Sequence, residues 1–421
     1  MGFFLTLVYI IIIYVRPQEF IADIQGWPIL TYLAGICISV VFLEGSFTAD
    51  KFRRSALNWL IVLFWAALAV SQIANLWFGG AVQAFEKFSK VVIVYFLILF
   101  TVDSWARLKV LMWTMILLAT FLATQAIIIF YTGEGLVGGH TILRQGSIVQ
   151  AQGIGIFDDP NDLALNMVPM VSFLLPAFHR GFLSRTWLTG LILLIPLVTG
   201  IAFTRSRGGI LGLAAVGWYY LHQRVGKIAG VVGLMALLSL LMAIPRMDQL
   251  SAQEDSARSR LDHWSYGLEL LKHNPVFGVG TDNFTDDYPQ TAHNSFILVI
   301  AETGLLGGVI WVALIFGSFR ELFLMRREGR APPFMESLAQ SLAGAWFGWL
   351  VCAFFLSQTY KFLSFILMGM TVAALNALAR DGVTVENSWG PKQWGISMAI
   401  TAGGVIGIHL GVKLLLSLTL D

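Results

Sequence analysis

Charge is what this chain has least of. Asp, Glu, Lys and Arg make up 12% of its 421 residues, against roughly 25% in a soluble protein. That excludes an ordinary water-soluble domain, and the 57% of hydrophobic residues points to lipid as the solvent. A net charge of +2 gives no footprint for nucleic acid, so no nucleic-acid partner is expected. Cysteine is scarce too. Cys37 and Cys352 both lie in apolar runs. Two such thiols make no disulfide framework and no metal cluster, and they read as small buried hydrophobes. His140, His179, His222, His263, His273 and His409 show no metal-ligand spacing with one another or with His293. There is no Walker phosphate loop and no internal repeat. The opening MGFFLTLVYIIIIYVRPQEF lacks a basic n-region and a small-residue cleavage site. It reads as a membrane helix that stays in place, not as a cleaved signal.

What the chain has in abundance is apolar runs. They fall at 2–15, 27–44, 56–76, 82–101, 107–131, 163–178, 187–203, 208–222, 226–244, 292–318, 336–356, 362–379 and 394–418. Each is near the roughly 17–25 residues that cross a bilayer, several at the short end. The expected fold is therefore all-α: a single polytopic membrane domain over 1–421, with about 12–13 transmembrane helices. Its one large polar insert, 245–291, is expected to be a helical loop outside the membrane that carries part of the active site.

Lys and Arg set the orientation. With the N-terminus cytoplasmic, the cytoplasmic connections hold Lys51, Arg53, Arg54, Arg107, Arg180, Arg185, Arg224 and Lys392, and the basic loop 320–330. Three polar segments then face the same outer compartment: Gly133–Asp162, Thr204–Gly208 and Pro245–Thr291. Ionisable groups gathered at one membrane face mark a functional site.

The first segment ends in IGIFDDPNDLALN. Asp159 or Asn161 reads as the cap of a helix with Pro160 in its first turn; carboxylates placed for a sugar or a cation are the other reading. Arg144 is an outer cation within reach of phosphate, or a solvated loop charge. The second segment, FTRSRGGILG, puts Arg205 and Arg207 in a short outer turn, against the positive-inside bias. A pyrophosphate would hold them there, because a guanidinium fork matches phosphate oxygens bidentately; snorkelling to headgroups is the plainer alternative. In the third, Asp255 or Ser256 is expected to cap a helix that runs to His273 and stops before Asn274-Pro275. Arg260 and Trp264 share a face of it, with Leu268 and Leu271 extending the stripe. Trp264 alone would be an interface anchor. Gly278-Val279-Gly280 predicts a tight turn. His293 then opens the longest apolar run, beside Asn294 and Ser295. At a helix N-terminus an imidazole should be neutral and able to accept a proton. Glu302, nine residues on, points to the opposite face and is expected to meet a neighbouring helix.

TRSRGG, an Arg four before a Trp, NPVFGVGTDNF and AHNSFILVIAETGLLGG follow in this order. The set resembles the O-antigen ligase and polymerase superfamily, as does IGIFDDPNDLAL. The opening YVRPQEF further resembles its branch of putative O-glycosylation ligases. The resemblance implies transfer of a glycan from undecaprenyl diphosphate to a sugar of lipid A core, at the periplasmic face of the bacterial inner membrane. It also implies that Arg207, Arg260 and His293 are essential. On this reading His293 is the general base and Arg207, Arg260 and Arg205 clamp the diphosphate. Arg144, Asn294, Trp264, Asp159 and Asn161 contact substrate, no metal or other cofactor takes part, and the reaction inverts. An O-antigen polymerase and a protein O-oligosaccharyltransferase share the motifs. A polyprenyl-glycan transporter would instead show inverted repeats and mid-bilayer charges.

Overall fold

The computed structural model describes all residues except 20, 135–141, 146–147, 180–182, 227, 229, 234, 236–249, 287–289, 328–332, 384, 386–387 and 419–421. The expected run 226–244, Asp287 and the tip of the basic loop 320–330 thus lie wholly or largely outside the described residues. The described residues are mainly helical. The helices are α1 (Gly2–Val15), α2 (Ile29–Leu43), α3 (Ala49–Arg53), α4 (Leu57–Ala74), α5 (Phe78–Thr101), α6 (Trp105–Thr132) and α7 (Pro160–Leu174). They continue with α8 (Arg185–Thr204), α9 (Arg207–Val225), α10 (Leu250–His273), α11 (Ser295–Arg327), α12 (Pro333–Ala353), α13 (Phe362–Arg380) and α14 (Pro391–Leu418). A short antiparallel hairpin, β1 (Ile142–Gln145) and β2 (Ile148–Ala151), lies between α6 and α7.

Among the described residues eight helices are long and apolar enough to cross a membrane: α1, α4, α6, α7 with the turn after it, α8, α11, α13 and α14. Other expected runs appear as α2, which is shorter, and as α5, α9 and α12, which carry more polar side chains. α11 and α13 are the most enclosed of the apolar helices, and α8 and α14 are the most exposed. The core between them is aromatic, with Trp311, Trp346, Trp349, Tyr9, Tyr95 and Phe64 fully buried.

The polar residues punctuate this bundle. Ser104, Ser184 and Ser206 each accept a backbone N–H at the start of α6, α8 and α9, satisfying donors that a helix start leaves open. Gly133 closes α6 in the left-handed conformation. The expected cap at Asp255 or Ser256 is corrected: α10 already runs from Leu250. Nothing in Ser251–Glu254 breaks a helix, so the turn continues upstream.

Gly278 and Gly280 make the expected turn, both at positive φ. It docks on a break inside α11 at Gly304, where φ is 63° and ψ −166°. Val279 N–H and Gly280 N–H donate to Ala301 O and Glu302 O at 3.0 and 2.9 Å, and Leu305 N–H to Pro275 O at 2.8 Å. The strand-like segment after α10 thus supplies the backbone partners that the break removes. Ser71 and Asn75 of α4 add bonds to Phe277 O, Glu302 O and Gly278 O. The backbone of Val276 and Phe277 occupies the space beside Gly304 where a side chain would stand.

Candidate active site

At one end of the bundle three helix starts and one loop converge. The first start is that of α7. Asp159 is its N-cap, accepting the Asn161 N–H at 2.6 Å, and Pro160 is the first helical residue. Pro lacks the N–H that this position could not satisfy, and its fixed φ suits the first turn. The second start is that of α9, where TRSRGG reads off residue by residue. Thr204 ends α8, Arg205 turns the chain at a left-handed φ of 51°, Ser206 caps α9, and Arg207 is its first residue. A Cβ at Gly209 would stand 2.6 Å from the Ala164 methyl, so α9 packs on α7 as only glycine allows. Arg205 and Arg207 are both exposed at this corner.

The third start is that of α11, and here the structure changes the expected picture. His293 does not begin the helix. Asn294 caps it, its Oδ1 accepting Phe296 N–H at 2.9 Å and Ile297 N–H at 3.1 Å. His293 precedes the cap at a left-handed φ of 46°, a conformation rare for a residue with a Cβ and characteristic of functional sites. Its imidazole packs edge-on to His263 of α10, with ring centroids 5.8 Å apart. Burial, then Arg260, then His263 lower the proton affinity of His293, while Asp159 raises it. The shift is toward the neutral imidazole, and its causes are burial and neighbouring cations.

Arg260, His263 and Trp264 form one stripe on α10, at the i, i+3, i+4 spacing. Arg260 is half-buried; burial lowers its proton affinity and Asp159 opposes that. Trp264 packs edge-on against Phe354, at 5.3 Å between centroids. Phe355, next in the chain, lies 3.5 Å from where a Gly208 Cβ would be. The Phe354-Phe355 pair thus joins the α10 stripe to the Arg207 corner. The Trp264 indole N–H and the Asn294 amide nitrogen are buried and have no hydrogen-bond partner. Unfilled donors of that kind are few in native proteins and call for a ligand or water.

The loop is residues 354–361, between α12 and α13. Ser295 Oγ donates to Leu356 O at 2.5 Å and accepts from Gln358 N–H at 2.8 Å. Gln358 also donates to the Asp162 carboxylate, and Lys361 lies 4.0 Å from it. With Tyr14 and Phe157 these line a notch of about 330 Å³. Tyr14, at the end of α1, donates to Asn166 at 2.8 Å, which places the YVRPQE stretch at the site. Tyr360 donates to Glu302 at 2.7 Å; Glu302 thus has a partner away from His293, as its position in the helix implies.

The structure therefore brings Arg260, His293, Asn294, Trp264 and Asp159 together, with Arg205 and Arg207 at the adjoining corner and Asn161 in the first turn of α7. Arg144 pairs through its backbone with Val149 in the hairpin; its side chain lies outside the described residues. Sequence reasoning missed His263, Gln358 and Lys361. The first carries no signal in the sequence beyond its spacing from Arg260; the others stand in the polar interruption SQTYK between two apolar runs. Among the described residues no three of His, Cys, Asp and Glu group as metal ligands.

Residues 191–312 match a family model described as O-Antigen ligase. The match contains Arg205, Arg207, Arg260, Trp264, His293 and Asn294. No curated protein matches. A solved chain described under "Structural coordination of polymerization and crosslinking by a peptidoglycan synthase complex" aligns at 16% identity, covering 76% of this chain and 97% of that one, with a TM-score of 0.43.

Proposed function

From residues 191–312, which place this chain in the O-antigen ligase and polymerase superfamily, we propose that it is an inverting glycosyltransferase of the periplasmic membrane face. It moves a glycan from undecaprenyl diphosphate to a sugar of lipid A core. The observation that carries this reading is the half-buried, neutral-leaning His293 held beside Arg260. Arg260 and Arg207, with Arg205, bind the diphosphate and balance its charge as the glycosyl bond breaks. His293 takes the proton of the acceptor hydroxyl, whose oxygen attacks the anomeric carbon. The diphosphate leaves with the bonding electrons and needs no protonation.

The unfilled donors of Trp264 and Asn294 suit sugar or phosphate oxygens, and Asp159 sets the position of Arg260. The notch of Tyr14, Asp162, Gln358 and Lys361 offers an aromatic wall and polar groups of both signs, which suits a sugar acceptor. The arginines supply the neutralising charge, so no divalent metal is required. A polymerase would use the same machinery on a second lipid-linked glycan.

The test is reconstitution of the pure protein with undecaprenyl-diphosphate glycan and three competing acceptors: lipid A core, a second lipid-linked glycan, and a protein. Transfer to lipid A core that survives excess EDTA is expected. Exclusive transfer to the lipid-linked glycan would make the chain a polymerase. Loss of activity restored by magnesium would overturn the arginine clamp.

A further inference from the structure

The opposite end of the bundle holds a second polar pocket that the reaction above does not use. It is lined by His179, Tyr219, Tyr220, Gln223, Arg224 and Gln340, among others. Arg207 and Arg224 stand at the two ends of α9, about 25 Å apart at 1.5 Å per residue. The pocket is therefore remote from His293.

Its hydrogen bonds leave cationic donors pointing at empty space. Arg224 donates to His179 Nδ1. That nitrogen must then be the acceptor, so Nε2 carries the proton and faces the Tyr220 oxygen. Tyr220 in turn reaches Leu175 O at 3.3 Å, and the His179 and Tyr220 rings stack at 5.3 Å. The chain of contacts fixes one edge of the Arg224 guanidinium and consumes few of its donors. Arg326 donates to Gln223 at 3.2 Å and bonds Tyr219, which lines the pocket floor. Among the described residues neither Arg224 nor Arg326 forms an ion pair with a carboxylate. Three other cations at this end do have a carboxylate: Lys51, Arg107 and Arg380 all lie within 3.5 Å of Asp103.

A helix-lined pocket with one arginine without a carboxylate in its wall, a second bonded to the wall from behind and several neutral donors suits an anion. Its position at a helix end of an apolar bundle selects the source, because basic pockets between transmembrane helices take up anionic lipid headgroups. We propose that the pocket of His179, Tyr220, Gln223 and Arg224, with Arg326 behind it, binds the phosphodiester of an anionic phospholipid. The guanidinium forks hold the phosphate oxygens, and Gln340 and Tyr219 stand beside the headgroup. The acyl chains run along the part-exposed apolar side chains of α9.

The full chain is purified in detergent and its bound lipid measured by native mass spectrometry after exposure to mixed phosphatidylglycerol and phosphatidylcholine. The wild type should retain phosphatidylglycerol preferentially, by on the order of tenfold for two arginines near a membrane surface. Arg224→Gln with Arg326→Gln should lose the preference, while Arg207→Gln should keep it. Both arginine substitutions at the pocket fall on side chains that are not fully buried, and Gln340→Leu, which leaves the arginines intact, gives an independent partial loss. Equal retention of the two lipids by wild type and variants would overturn the site. Displacement of the lipid by millimolar inorganic phosphate alone would overturn its assignment to a lipid headgroup.

Discussion

At the scale of single residues the chemistry turns on His293. Protonation would abolish it as a base, so the sign of its shift matters. Burial, Arg260 and His263 all disfavour the imidazolium, and its proton affinity is lowered from the ordinary value of 6.5. The neutral form therefore persists as pH falls through 6.5, and the acid limb of kcat/KM, which reports the free enzyme, should lie below that pH. Replacing Arg260 by Gln removes a cation and should move the limb upward in whatever activity remains. Asp159→Asn removes the one opposing charge and should move it downward. His293→Ala should fold and lose roughly 10²–10⁴-fold in transfer, the usual span for a general base. A pH–rate profile of the four proteins checks this; opposite shifts in the two neighbours' variants are required, and an unmoved limb would remove His293 from the mechanism. The sequence made this residue legible because His-Asn-Ser stands directly before a long apolar run, which sets an imidazole beside a natural helix cap. It did not make His263 legible, since a histidine at i+3 from an arginine carries no signal until the fold turns that stripe of α10 toward α11.

At the scale of elements, glycines decide how closely pieces approach, and spacing in the sequence showed only some of this. In the TRSRGG corner every residue acts locally: cap, first turn, close packing. The break in α11 is not local in this way. An apolar run with a glycine inside looks like an unbroken helix, and only the docking of residues 275–280 reveals why the helix opens. Gly304 adopts a backbone conformation almost reserved for glycine, and a Cβ there would sit 2.3 Å from the carbonyl of Val276. Gly304→Ala should therefore destabilise the protein by about 3 kcal/mol or more, combining backbone strain with a clash against main chain that cannot yield. Gly403→Ala on α14 is the control, since nothing lies within 4 Å of a Cβ there and alanine favours a helix. Thermal unfolding in detergent should show a clear drop for the first and little change for the second. Equal stability of the two would mean that the turn after α10 does not hold the break in place.

At the scale of the whole molecule, two chemically different ends face each other across an apolar belt. One end holds Asp159, Arg207, Arg260, His293 and Lys361. The other collects Lys51, Arg107 and Arg380 on Asp103, together with Arg224 and Arg326. That partition was legible in the sequence, because each apolar run flips the chain and the basic connections fall on alternate sides. The contacts that unite one end were not legible, since Asp162 with Gln358 and Thr291 with Ser357 are far apart in the chain. Lys and Arg excess marks the cytoplasmic side of a membrane protein, so the end with Asp103 should be cytoplasmic and the end with His293 periplasmic. Two exposed positions report on this. Thr285 lies in the turn that leads to His293, and Lys392 opens α14 at the other end. Cys37 and Cys352 are both buried, so an added cysteine at either position should dominate labelling. In intact cells an impermeant thiol reagent should modify Thr285→Cys and spare Lys392→Cys until the membrane is opened. Labelling of the second alone would invert the molecule. His293 would then face the cytoplasm, where a lipid-linked donor has not yet been flipped, and the glycan-transfer reading would lose its compartment.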